Sequence, residues 1–194
     1  SGDWSSDVCS SDLALMPQDI HTVSRTRTQT LFDEEQQYIA PGLQTIALLS
    51  ELSISHGRGA TLTDLVAQCP GRLFVTTFAS NLHRLQSILE ASAKAGRKVL
   101  LAGRSMQQNV QMARERGFLT PPRGLIVEAP EAVGLEASRL TVLASGCQGE
   151  PRSAMGRLAA GEYGTIRVEA GDTVILAARR IPGNERAVGT LVNT

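Results

Sequence analysis

Between Arg72 and Ala178 short apolar runs alternate with amphipathic segments, and a glycine or a polar cluster marks each junction. This pattern constrains the fold more than any other feature of the chain. RLFVTTF (Arg72–Phe78), KVLLA (Lys98–Ala102), Leu125–Glu128, LTVLA (Leu140–Ala144) and TVILAA (Thr173–Ala178) are rich in β-branched and aliphatic residues and carry charge only at an end, at Arg72, Lys98 and Glu128. Runs of that kind suit strands buried on both faces. Between them, Ser80–Ala95 places Leu82, Leu85, Ile88, Leu89 and Ala93 on one helical stripe, with Ser80 or its neighbour as cap and Gly96 as stop. Ser105–Arg116 repeats the design with Val110 and Met112/Ala113 inward and Gly117 at its end, and Ser153–Ala160 forms a third, shorter helix. Strands alternating with helices across short turns pair in parallel through right-handed crossovers. The expected fold class is α/β, a Rossmann-like parallel sheet with flanking helices.

Upstream the signals weaken. Thr61–Cys69 suits a short helix that Pro70-Gly71 ends, and Ser53–Gly59 suits a loop. From Asp33, Ile39, Leu43, Ile46 and Leu49/Leu50 recur near a 3.6-residue period, which predicts a helix interrupted at Pro41-Gly42. Ala14–Thr30 is polar and without period. Ser1–Leu13 (SGDWSSDVCSSDL) repeats Ser-Ser-Asp followed by Val or Leu and has neither helical nor strand period. Residues 2–13 resemble, without a break, the translation of a common sequencing-library adapter, and such segments stand outside fold reasoning. The expected organisation is an adapter-derived stretch over 1–13, an arm over 14–32, and one α/β domain over 33–194. The natural protein is then expected to carry other residues before Ala14.

The charge balance depends on that division. Across 194 residues 19 bases meet 19 acids. Ser1–Leu13 contributes Asp3, Asp7 and Asp12 and no base, so the remainder carries +3. Between Gly71 and Arg123, nine bases (Arg72, Arg84, Lys94, Arg97, Lys98, Arg104, Arg114, Arg116 and Arg123) face only Glu90 and Glu115, a local +7. A basic region of this size suits a polyanion. Cys9, Cys69 and Cys147 are odd in number, widely spaced and without a Cys-x-x-Cys pair, which excludes a disulfide scaffold and a zinc ribbon and fits a reducing cytoplasm. No run approaches the roughly 18 apolar residues of a membrane span, so no membrane partner is expected.

In an open α/β sheet, ligands bind beyond the carboxyl ends of the strands. Here those ends are Ala79-Ser80-Asn81, Gly103-Arg104-Ser105, Ser145–Pro151 and Arg180–Glu185. Two open helices, whose first N–H groups suit phosphate. Ser80, Asn81 and Ser105 add polar side chains, and Arg104 adds a planar charged fork. Ser80 and Ser105 would also serve as ordinary helix caps, but four such tips on one edge favour a binding surface. No catalytic centre accompanies it. The sequence contains no G-x-G-x-x-G after the first strand, no Walker A and no G-x-S-x-G, and His21, His56 and His83 lack metal-ligand spacing.

The strings at these tips are specific. TTFASNLHRLQ (Thr76–Gln86), GRKVLLAGRSM (Gly96–Met106), SGCQGEPRSAMGRLAAGE (Ser145–Glu162), AGDTVILAA (Ala170–Ala178) and IPGNE (Ile181–Glu185) resemble, in order, bacterial ribonuclease J. The likeness runs from about Pro70 to the end and more loosely back to about Arg27. That family consists of metallo-β-lactamase-fold ribonucleases with an inserted β-CASP domain, and the stretch resembles most of that insertion. The resemblance implies cytoplasmic RNA processing and decay, with 5′-to-3′ exonuclease and endonuclease action at a two-zinc centre. It implies RNA as partner, the metallo-β-lactamase domain of the same polypeptide as a second, and a homo-oligomer in the full-length protein.

In the family the Phe-Ala-Ser-Asn segment helps bind RNA, which points to Ser80, Asn81 and Leu82. Arg104, Ser145 and Gln148 join them from the strand-tip argument. The family's His-x-His-x-Asp-His and His-x-Ser-Gly-His segments are absent from this sequence, so no catalytic and no metal-binding residue is expected within it. Leu52–Ala60 reads as an insertion relative to the family. The chain alone is then expected to be inactive. The alternative reading is a stand-alone Rossmann-like module that binds a nucleotide or RNA; a nicotinamide-dependent enzyme is disfavoured by the missing glycine fingerprint.

Overall fold

The computed structural model describes residues 20–24, 45–49, 62–178 and 181–192. The expected adapter-derived stretch and the insertion at 52–60 lie outside the described residues. The five expected strands all form: β3 (Leu73–Thr76), β4 (Lys98–Ala102), β5 (Ile126–Val127), β6 (Leu140–Ala144) and β7 (Thr173–Leu176). Two more precede them, β1 (Ile20–Ser24) and β2 (Thr45–Leu49). The order across the sheet is β1-β2-β7-β3-β6-β4-β5. β1 runs antiparallel to β2, and every other described pairing is parallel.

β1 and β2 correct two expectations. Ile20–Ser24 falls in the segment read as an arm, and Thr45–Leu49 in the segment read as a helix. TIALL is four apolar residues after a β-branched threonine, too short for its spacing to separate a strand from a helix turn. Its partner decides the matter, because Thr45 to Leu48 lie in parallel register with Thr173 to Leu176 of β7.

Helices α1 (Leu62–Gln68), α2 (Leu82–Lys94) and α3 (Arg104–Glu115) cover one face of the sheet. There Val66, Leu85, Ile88, Leu89, Met106 and Val110 pack on Leu73, Val75, Val99, Leu101, Leu143 and Ile175. The stripe read from the sequence of α2 is the buried one, and each fully buried aliphatic side chain contributes about 1.5–3 kcal/mol. Helices α4 (Ala129–Val133), α5 (Ala154–Ala159) and α6 (Glu185–Val192) cover the other face. Ala132, Met155, Leu158 and Val188 meet Phe74, Leu100, Val142, Val174 and Leu176 there. The strand period of two divides β3 between the layers, Leu73 and Val75 to one and Phe74 to the other.

Two polar contacts, one of them buried, tie elements to the strand starts. Ser92 Oγ on α2 donates to Thr141 Oγ1 on β6 at 3.2 Å. Arg72 is paired with Asp172 and Glu169, which clamps the entry of β3 to the turn before β7.

Candidate nucleic-acid interface

Parallel pairing brings the carboxyl ends of β7, β3, β6 and β4, four neighbours in that order, to one edge. Beyond it the chain leaves alternately to opposite faces. β3 and β4 lead to α2 and α3 on one side, and β6 and β7 to α5 and α6 on the other. In open α/β sheets ligands bind where the connections leave to opposite faces in this way.

At the β3 tip, Ala177 N donates to Thr76 O at 2.8 Å and Thr77 N to Ala144 O at 3.3 Å, so this tip is anchored to both neighbours. The regular strand ends at Thr76, earlier than expected, and Phe78 is 39% exposed rather than buried. Ser80 is exposed, and Asn81 and Leu82 are half-buried at the start of α2. Of the two capping candidates it is Asn81 that caps, its Oδ1 accepting from Arg84 N at 3.1 Å. That bond fixes the orientation of the carboxamide beside Ser80.

The β4 and β6 tips interlock. Gly103 has φ +98°, and a Cβ on it would lie 2.9 Å from Ala154 Cβ and 3.0 Å from Ser145 Oγ. Glycine is therefore required for the approach that sets Ser145 beside the start of α3. Tyr163, which sequence reasoning missed, accepts Gly103 N–H on its hydroxyl at 2.6 Å while Arg157 lies over its ring at 5.3 Å. A lone tyrosine in a loop carries no local signal of a contact sixty residues upstream. Arg104, exposed, opens α3, whose N-terminus has no side-chain cap. A guanidinium beside uncapped helix N–H groups favours an anion.

Gln148 has a different place from the other five predicted residues. It is buried, and its Oε1 accepts from Ile181 N at 2.9 Å and from Asn184 Nδ2 at 3.4 Å. Its side chain thus binds the β6 tip to the β7 tip. Cys147 beside it is buried too, and burial pushes its thiol up to about 11, which removes it as a nucleophile.

The +7 region does not gather at this edge. Arg72, Arg97 and Lys98 lie at strand starts, Lys94 ends α2, and Arg114 and Arg116 end α3. All of these belong to the opposite edge, because helices that return from the tips run antiparallel to the strands. Arg84 is near the tips but buried, with Nη1 donating to Ala177 O at 2.7 Å. Arg97 is 4% exposed. It donates to Gly71 O at 3.0 Å and Leu140 O at 3.2 Å, and also to Cys69 O. Counting charges along the sequence cannot separate a guanidinium that staples strands from one that meets solvent. Arg104 is the member of the nine that is both exposed and at the tips.

Among the described residues no three His, Cys, Asp or Glu side chains converge to hold a metal ion, so the zinc centre implied by the resemblance does not fit them. Among the same residues no helix is long and apolar enough to cross a membrane.

Comparison with known proteins identifies the domain. Residues 70–194 match the family model described as ribonuclease J, beta-CASP domain. The chain is 42% identical over 132 residues to ribonuclease J of Thermus thermophilus, covering 68% of this chain and 23% of that protein. It is 37% identical over 136 residues to ribonuclease J 1 of Streptococcus pyogenes, covering 70% and 24%. Against ribonuclease J of Helicobacter pylori the identity is 34% over 155 residues, covering 75% and 22%. The chain thus spans about a quarter of the length of these relatives. A doubly covered parallel sheet with interlocked tips and a family match over 70–194 lead to one conclusion: this chain belongs to the ribonuclease J family and carries its β-CASP domain.

Proposed function

We propose that this chain is the RNA-holding portion of a ribonuclease J that acts in RNA processing and decay as a 5′-to-3′ exonuclease and endonuclease. One observation carries the reading: three adjacent parallel strands, β3, β6 and β4, deliver Ser80, Asn81, Ser145 and Arg104 to a single edge. Arg104 and the first N–H groups of α3 take a phosphate. Ser80 and Asn81 contribute polar contacts to the backbone of the strand, with Leu82 beside them at the start of α2. Phe78, exposed at the neighbouring position, offers a face on which a base stacks. Gln148 acts by holding the β6 and β7 tips in register rather than by touching RNA.

The hydrolytic step belongs to residues outside this chain. Zinc ions held by a metallo-β-lactamase domain of the same polypeptide would supply the activated water, and the present chain contributes substrate positioning. In the cell the proposed setting is the cytoplasm, with the complete protein as a homo-oligomer. The domain organisation proposed is an adapter-derived stretch over 1–13, then chain leading into one α/β domain.

The test is RNA affinity of the 194-residue chain by fluorescence anisotropy at fixed salt. Asn81→Ala combined with Arg104→Ala is expected to weaken binding about tenfold or more, since a charge-assisted contact is worth about 1.5–3 kcal/mol. The far-UV circular dichroism should stay unchanged. Equal affinity at matched salt would refute the interface. The purified chain with added zinc should not turn over RNA, and sustained hydrolysis would overturn the assignment of chemistry to other segments.

A further inference from the structure

The opposite end of α3 has features that the strand-tip interface does not use. Helix α3 is 12 residues long and begins at Arg104, so its far end lies about 18 Å from the tips at 1.5 Å per residue. There Arg114 and Arg116 are exposed, and Phe118, two residues on, is 67% exposed. Met112, one turn before Arg116 on the same helical face, is 48% exposed. The loop then folds back, with Leu119 buried and Thr120 N donating to Gln86 Oε1 at 3.1 Å. It closes in a turn at which Leu125 N donates to Pro122 O, leaving Arg123 exposed at the crest. Three cations and an uncovered aromatic ring therefore fall within residues 114–123. Of the nearby acids, Glu115 accepts from the Gln111 amide at 2.9 Å and Glu90 from the Gln86 amide at 2.7 Å, and both keep their charge, as does Glu128 across the loop.

A cleft of about 750 Å³ opens beside the same loop, between α3 and β5. Val110, Leu119 and Ile126 supply apolar lining, Gln111, Arg114 and Thr120 supply polar atoms, and Glu115 and Glu128 bring carboxylates to the wall. A largely polar cleft, with amide, hydroxyl and guanidinium groups at its wall and cations beside it, matches the hydrogen-bonding edges of an unstacked base. Exposed apolar side chains on a solvated helix end have no such complement of charge.

We infer that this corner is a second contact surface for single-stranded RNA, separate from the strand tips. Arg114, Arg116 and Arg123 meet phosphates, Phe118 stacks one base, and the cleft receives another. The inference rests on the RNA-binding reading above and extends it: a short RNA fills the tips alone, and a longer one continues along α3.

The experiment compares the 194-residue chain and its variants on oligoribonucleotides of about 4 and about 16 nucleotides, the range of single-strand site sizes. Phe118→Ala is expected to weaken binding of the long RNA about 5- to 20-fold, as loss of one stacked base should. Arg116→Ala with Arg123→Ala should lower the salt dependence of long-RNA affinity by about 1.4 in the log–log slope, which is two phosphate contacts. Neither change should alter binding of the short RNA. All three positions are exposed, and circular dichroism checks that the variants fold. If long-RNA affinity and slope are unchanged while Arg104→Ala still weakens both lengths, the second surface is wrong and the tip interface stands. If the unmodified chain binds neither RNA, the RNA reading and this inference fall together. If Phe118→Ala and the arginine pair instead abolish capture of an acidic protein while leaving RNA untouched, the surface is a protein-docking site and the inference is overturned.

Discussion

Arg97→Met tests the claim that a base read as part of a charge run is a structural staple. The native guanidinium reaches Gly71 O and Leu140 O at 3.0 and 3.2 Å, and Cys69 O besides. It thereby joins the turn before β3 to the start of β6 from a position just before β4. Burial opposes its charge and holds its pKa below the usual arginine value, so part of each bond's worth is spent on desolvation. Methionine fills similar space but leaves the carbonyls without a donor, at about 1–3 kcal/mol for each one that water does not reach. Allowing for the desolvation regained, the net loss is about 3 kcal/mol. In a chain of this size that lowers the melting temperature by about 6–12 °C.

Urea unfolding followed by far-UV circular dichroism reads the loss as a lower midpoint at similar slope. Arg114→Met is the control: its side chain is exposed, and the change should stay within about 0.5 kcal/mol. Arg97→Lys should recover less than half the loss, because one ammonium cannot span a fork of carbonyls. If Arg97→Met unfolds at the same urea concentration as Arg114→Met, the staple carries no net stability and the reasoning fails.

Two further outcomes follow from the tips. Gly149 has φ +76° and a Cβ there would sit 2.2 Å from the Ala187 carbonyl carbon; Gly149→Ala should displace α6 and speed amide exchange at Val188, with unchanged exchange refuting the contact. Cys147, at about 11 when folded against an ordinary 9.0, keeps its proton in the native state while the unfolded chain loses it. Its contribution is therefore whole below pH 9 and lost as pH rises to about 11, amounting to about 3 kcal/mol. Cys147→Ala should flatten that alkaline decline in unfolding experiments, and native-state alkylation of the thiol at pH 8 should be far slower than in urea.

The strand–helix alternation from Arg72 to Ala178 was legible because buried parallel strands and amphipathic helices leave opposite periods in the sequence. The glycine stops and the expected cap at 80–81 followed from local backbone chemistry, and Asn81 rather than Ser80 took that role through one side-chain bond. The first two strands were not legible. A five-residue, mostly apolar run has the same composition in a helix turn as in a strand, and only the pairing of Thr45–Leu48 with β7 settles it.

The candidate site divides the same way. Ser80, Asn81, Arg104 and Ser145 could be named from the sequence, since each follows a strand and parallel strands end together, and Leu82 from the family resemblance. Gln148 follows one too, yet its amide turns inward to the β7 tip. By itself, then, the amino-acid sequence determined the class of fold and the family, and named the edge proposed for binding. Only the tertiary structure decided which charges face solvent. Arg84 and Arg97 look like Arg104 and Arg116 in the chain, and a guanidinium's role depends on carbonyls brought to it from strands far away in sequence.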